Sequence, residues 1–90
     1  MTKLEQKLIE LGYVCYHCSV DGTCREYSKN VECFRIYIKL NDKNNFIIFS
    51  YVWKVEERFE YRPYDYDINY IEATNMLQSD LKELKEYEQH

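Results

Sequence analysis

The residues best suited to chemistry in this chain are its cysteines. Cys15, His17, Cys18 and Cys24 lie together in "VCYHCSVDGTC", and Cys33 follows further along. Thiolate and imidazole groups are the usual protein ligands of zinc, and a Cys-x-x-Cys pair can also carry redox chemistry. The stretch therefore raises three alternatives: a zinc site, a redox pair, or a β-hairpin that carries reduced thiols.

The pair Asp21-Gly22 favours the hairpin, because both positions tolerate the positive φ that a two-residue turn requires. A turn at this point sets Cys18 opposite Arg25 on the return strand. Strict strand alternation then places Cys15 and Cys18 on opposite faces, where they cannot share a tetrahedral ion.

A zinc site remains the alternative, because the same alternation puts Cys15, His17 and Cys24 on one face, with Cys33 available from another strand. Such a site would make the chain a zinc-stabilised structural or adaptor module. The redox alternative is weaker, because a redox Cys-x-x-Cys pair usually begins a helix, and this one lies in a predicted strand. We favour reduced cysteines that pack as small hydrophobic residues, and we expect no cofactor and no metal.

Other catalytic groups are scarce. His17 and the terminal His90 have no placed partner, and there is no glycine-rich phosphate loop and no serine elbow. Asp65 and Asp67 are close in sequence, but such a pair is more often a solvated feature than an acid–base couple. We therefore predict that the chain is not an enzyme.

Acidic and tyrosine side chains are concentrated in the second half of the chain. Residues 51–90 hold five basic and ten acidic side chains, whereas residues 1–50 hold seven basic and six acidic ones. Carboxylates in such a segment can imitate a track of phosphates and cover a basic groove, while tyrosines supply desolvated anchors. We predict a partner-binding surface formed by Glu56, Glu57, Glu60, Tyr61, Tyr64, Asp65, Tyr66, Asp67, Tyr70 and Glu72. A solvated rim that keeps the protein soluble is the alternative.

Two helices and several strands must position these groups. Thr2 and Glu5 form a capping box, and an apolar stripe predicts a first helix over residues 2–11, which Gly12 ends. A second capping box at Asn69 and Glu72 predicts a second helix that packs through Ala73, Leu77, Leu81 and Leu84.

Alternating residues predict the strands between the helices. "VECFRIYIKL" directs Phe34, Ile36, Ile38 and Leu40 inward and Cys33 outward. "FIIFSYVWKV" is the most apolar strand and is predicted to be central, and the polar return strand after the Asp-Gly turn is predicted to be an edge. The expected fold is a single α+β domain over residues 1–90, with α-β-β-β-α order, an antiparallel sheet, both helices on one face and a possible extra edge strand near residues 59–61.

The terminal segments "KLEQKLIELGY" and "INYIEATNMLQSDLKELKEYE" resemble the ends of short phage and mobile-element proteins from AT-rich Gram-positive bacteria. The small acidic α+β plan is also similar to that of some anti-CRISPR proteins. This resemblance implies an inhibitor that covers a basic nucleic-acid-binding surface on a host defence protein. The expected partner is thus a basic host protein in the cytoplasm, such as a CRISPR nuclease, with no direct contact to nucleic acid or membrane.

Overall fold

Four antiparallel strands form one sheet, and two helices pack on one of its faces. The computed structural model describes residues 2–21, 24–41, 46–54 and 63–88, and of residues 63–67 it describes the backbone alone. The α+β class predicted from the sequence is confirmed. The elements, in chain order, are α1 (Lys3–Glu10), β1 (Val14–Cys18), β2 (Cys24–Val31), β3 (Phe34–Asn41), β4 (Phe46–Lys54), α2 (Pro63–Leu84) and a short 3₁₀ helix (Lys85–Tyr87).

The beginning and end of α1 follow the sequence prediction. The Glu5 amide donates to Thr2 Oγ1 at 3.2 Å, and the Thr2 amide donates to Glu5 Oε2 at 3.1 Å, so the predicted capping box is confirmed. Gly12 adopts a φ of 97°, the left-handed conformation that ends the helix at low steric cost. A side chain at this position would also crowd Lys29, whose Cδ lies 3.3 Å from where a Cβ would stand.

The order of the strands across the sheet is β1-β2-β3-β4, which corrects two predictions. The apolar strand β4 lies at one edge of the described sheet, not at its centre, and the polar strand β2 is interior. The strands lie in the sheet in the order in which they occur along the chain, because each strand pairs with its neighbour in sequence. The extra edge strand predicted near residues 59–61 lies outside the described residues.

A tight turn divides the segment that the sequence pattern treats as one strand. Val31 belongs to β2 and pairs with Phe34 of β3, so Glu32 and Cys33 form a two-residue hairpin turn. Glu32 has a φ of 56°, which a non-glycine residue adopts mainly in such turns. Cys33, predicted to face outward, is buried beside Phe34 instead.

The core lies between the sheet and the helices. The four inward residues predicted for β3 are all buried. Ile36, Ile38 and Leu40 pack with leucines of both helices, and Phe34 packs in a smaller cluster with Ala73 of α2. Leu81 of α2 is only partly buried and packs at the margin of the larger cluster. The apolar stripes of both helices therefore pack against the sheet, as their spacing predicts, with Leu84 rather than Leu81 at the centre of the core.

Helix α2 begins at Pro63, six residues before the predicted start. Asn69 and Glu72 consequently lie inside the helix, and the predicted capping box at Asn69 is wrong. Proline is favoured in the first turn of a helix, because its missing amide has no helical partner there and its φ is already helical.

A buried ion pair joins α2 to β2. Lys29 Nζ donates to Asp80 Oδ2 at 2.6 Å, and the Tyr13 hydroxyl donates to the same oxygen at 2.8 Å. Lys29 also donates to the Leu11 carbonyl oxygen at 2.9 Å and lies 4.6 Å from the centroid of the Tyr13 ring. Burial, reinforced by the Asp80 carboxylate, raises the pKa of Tyr13 far above its ordinary value. Asp80, which the sequence pattern does not single out, thus connects a helix, a strand and the loop after α1.

Alkaline pH should destabilise the fold through its buried tyrosines. Burial raises the pKa of Tyr27 from 10 to about 12. Between pH 10 and 12 the unfolded chain releases a Tyr27 proton that the folded chain retains, so the free energy of unfolding should fall as pH rises through this window. Tyr27→Phe should remove up to about 1.4 kcal/mol per pH unit from this slope. Urea unfolding at several pH values between 9 and 12 measures it, and an equal slope in both proteins would contradict the prediction.

Candidate binding surface on the uncovered face of the sheet

The thiols of the first hairpin lie where a β-bulge in β1 places them. Cys18 pairs with Arg25, as predicted, but the register shifts between Cys15 and His17, so that Cys15 pairs with Tyr27. The extra residue breaks strict alternation and turns both cysteines toward the helix side of the sheet. The two sulfurs lie 3.9 Å apart, and the prediction that they occupy opposite faces is wrong.

The same bulge separates the three zinc ligands that strict alternation would align. His17 pairs with Glu26, and Cys24 pairs with Asn41, on the face opposite to Cys15. Among the residues that the structure describes, no group of three or more histidine, cysteine or acidic side chains is arranged to hold a metal ion. The described residues therefore include no ligand set for the zinc-stabilised module that the sequence suggests as an alternative.

The predicted acidic surface lies only partly within the described residues. Residues 55–62, which include Glu56, Glu57, Glu60 and Tyr61, are outside them. Tyr64, Asp65, Tyr66 and Asp67 belong to the first turns of α2, rather than to a connection before it. Tyr70 and Glu72 are exposed on α2, and the Tyr70 ring lies 5.5 Å from that of Phe34.

The face of the sheet opposite the helices carries an unpredicted row of aromatic side chains. Register pairs Tyr37 with Tyr51, Lys39 with Phe49 and Arg35 with Trp53, which places all of them on the same side. We call Tyr16, Tyr37, Phe49, Tyr51 and Trp53 the aromatic outer face. Trp53 is 62% exposed and Tyr16 is 51% exposed, and no described element covers these rings.

Four rings of this face, contributed by β1, β3 and β4, contact one another in a continuous row. Tyr37 and Tyr51 stack with centroids 4.8 Å apart, and Phe49 stacks on Tyr51 at 5.8 Å. Tyr16 meets Tyr37 edge to face at 5.8 Å. Offset-stacked and edge-to-face pairs are the favoured geometries of aromatic contacts, so these four rings are held in place in the absence of a partner.

A shallow pocket of about 540 Å³ opens in this face, lined by Tyr16, Tyr37, Tyr51 and Trp53. Its wall is therefore entirely aromatic. Partial burial, followed by the neighbouring Glu26 carboxylate, raises the pKa of Tyr16 to about 12. Aromatic ring faces carry negative electrostatic potential, and Glu26 adds a full negative charge beside them. The pocket is suited to a cation.

The two cations described on the outer face are already engaged. Lys39 Nζ lies 5.6 Å from the centroid of the Phe49 ring, and Arg35 Nε donates to Asn30 Oδ1 at 2.7 Å. Neither residue lines the aromatic pocket. Lys39 shows, within the molecule itself, that these rings accept a cationic side chain.

A signal for the outer face does exist in the sequence. Phe49, Tyr51 and Trp53 alternate in the segment "FSYVW", the period with which a strand presents one face. The high apolar content of β4 suggests instead a strand that is buried on both faces. For that reason the sequence predicts, wrongly, that β4 lies at the centre of the sheet.

Comparison with protein-family models, with curated proteins and with solved structures gave no match. Within the described residues, no helix is both long and apolar enough to cross a membrane.

Proposed function

We propose that this chain is a non-enzymatic interaction protein whose aromatic outer face binds a basic protein partner. An arginine or lysine side chain of the partner enters the aromatic pocket, and the surrounding rings cover the residues next to it. The observation that carries the proposal is the pocket itself, because every residue that lines it is aromatic and faces away from both helices.

Cation–π attraction supplies the recognition. A guanidinium or ammonium group over tyrosine and tryptophan rings gains about 0.5–1 kcal/mol at an exposed site and about 2 kcal/mol when it is desolvated. Tyrosine and tryptophan are also the residues that most often dominate binding energy in protein interfaces. The pocket combines both effects, and the carboxylate of Glu26 lies at its margin.

Net charge supports a basic partner. The chain carries a formal charge of −4, and attraction between opposite charges speeds encounter and disfavours acidic partners. Single-stranded nucleic acid also stacks on aromatic surfaces, but it requires cations along the track of its backbone. The described cations of the outer face are Arg35 and Lys39, both engaged, which favours a protein over a nucleic acid.

The sequence suggests a more specific role, in which the partner is a basic nucleic-acid-binding protein of a host defence system and binding blocks its groove. We retain this as part of the proposal. The acidic segment of residues 56–72 would then contact the same partner. Tyr70 and Glu72, which belong to this segment, are exposed on α2.

Replacing Trp53 with alanine should weaken binding of a labelled nona-arginine peptide about 5- to 30-fold, the loss expected for about 1–2 kcal/mol of cation–π and contact energy. Fluorescence anisotropy of the peptide measures this. In the unaltered protein, Trp53 is the sole tryptophan, so a change in its emission on titration reports directly on the pocket.

Ile9→Ala is the control, because it removes an exposed apolar side chain from α1 and leaves both the outer face and the acidic segment intact. It should change the affinity less than twofold. Equal losses in both variants, or tighter binding of oligo-dT than of the arginine peptide, would contradict the proposed function. The triple charge reversal of Glu56, Glu57 and Glu60 to lysine separates the acidic segment from the pocket: an unchanged affinity assigns binding to the outer face alone.

A further inference from the structure

The two exposed thiols of β1 have the spacing of half a metal site. Cys15 Sγ and Cys18 Sγ lie 3.9 Å apart. In a tetrahedral zinc site with Zn–S bonds of about 2.3 Å, neighbouring sulfurs are about 3.8 Å apart. The bulge between Cys15 and His17 produces this spacing, because it brings two cysteines three residues apart onto one side of the strand.

A second pair of ligands is needed to complete such a site. In the described part of the chain no further histidine, cysteine or acidic side chain joins the two thiols to form a ligand group. Structural zinc sites are almost always four-coordinate, and four thiolates are one of their usual ligand sets. One chain thus offers two of the four ligands that a closed site requires.

The position of β1 makes a second copy of the chain a suitable source of the other two. β1 is the first strand of the described sheet and pairs there only with β2, so no described strand covers its other edge, and all five of its residues are exposed. The strand sequence "VCYHC" contains no lysine, proline or acid, the residues that usually protect an edge.

A two-fold axis normal to the sheet places the β1 strands of two copies antiparallel to each other. The helix sides of the two sheets then lie on the same surface of the joined sheet. Both thiol pairs therefore lie on that surface, and the register that sets Cys15 of each copy opposite Cys18 of the other brings them to the separation of cross-strand neighbours. Arg25, the register partner of Cys18, adds one positive charge per copy near this surface, where its Nε also lies 3.7 Å from Glu5 Oε1.

We propose that Cys15 and Cys18 form half of a tetrathiolate site for a soft divalent cation such as Zn²⁺, which two copies of the chain complete across their β1 edges. Binding releases the thiol protons to solvent and involves no change of oxidation state. This site lies on the helix side of the sheet margin, whereas the aromatic pocket opens on the outer face and shares β1 with it through Tyr16.

Titration of the reduced protein with Co²⁺, which reports its ligands by its absorption spectrum, tests the proposal. We expect the intense bands of a tetrathiolate complex, saturation at one ion for every two chains, and a change from monomer to dimer in sedimentation velocity. Added Zn²⁺ should displace the cobalt and preserve the dimer, and a chelator should return the protein to monomer.

Cys15→Ser and Cys18→Ser should each abolish the tetrathiolate bands and the metal-dependent dimer, while circular dichroism stays unchanged because both positions are exposed. Cys24→Ser is the matched control, as it removes a thiol from the same hairpin on the other face. Saturation at one ion per monomer, loss of the bands in the Cys24 variant, or no cobalt binding would each overturn the proposal.

Discussion

Replacing Asp80 with alanine should lower the free energy of unfolding by about 3–5 kcal/mol, because it leaves the Lys29 ammonium buried without its counter-ion. The side chains of Lys29 and Asp80 are only 14% and 8% exposed, so water replaces the lost carboxylate incompletely. The loss is a large part of the roughly 5–13 kcal/mol that stabilises a domain of this size. Urea unfolding monitored by circular dichroism measures it.

A double-mutant cycle separates the unpaired charge from other effects of the Asp80 substitution. Lys29→Met combined with Asp80→Ala should recover part of the loss, since neither charge of this pair then remains buried. Glu83→Ala, at an exposed position of the same helix, should change stability by less than about 0.5 kcal/mol. An Asp80→Ala loss below about 1 kcal/mol would show that Lys29 reaches solvent or another acceptor.

Local sequence signals predict the parts of this fold that depend on local interactions. The capping box of Thr2 and Glu5 and the left-handed Gly12 are confirmed, because caps are satisfied within a few residues of each other. The pairing of Cys18 with Arg25 is confirmed for the same reason, since the turn between them fixes the register.

The bulges in β1 and β4 could not be predicted in the same way. A bulge adds one residue to a strand without changing its composition, so the alternating pattern before and after it looks continuous. In β1 this shift reverses the predicted relation between Cys15 and Cys18. In β4 a register shift lies opposite Lys39 and Leu40, where Ile48 is the extra residue, and both Ile48 and Phe49 are exposed.

The start of α2 shows two helix signals in competition. Asn69 and Glu72 match a capping box, but Pro63 followed by Asp65 and Asp67 also matches a helix start, with acids near its positive end. The longer helix prevails in the structure. The burial of Asp80 carries no sequence signal at all, because its partners Lys29 and Tyr13 lie 51 and 67 residues away.

The core offers the second large effect, in a comparison of two leucines on one helix. Leu84 is completely buried among residues of both helices and the sheet, so Leu84→Ala should lower the free energy of unfolding by about 2–5 kcal/mol. Leu81 lies at the margin of the same cluster and is partly exposed, so Leu81→Ala should cost less than half as much, since its cavity opens to solvent. Both substitutions replace leucine with alanine in one helix, which cancels differences in helix propensity. Paired urea titrations measure the difference, and an equal or larger loss for Leu81 would show that the C-terminal turn of α2 does not pack on the sheet as the structure has it.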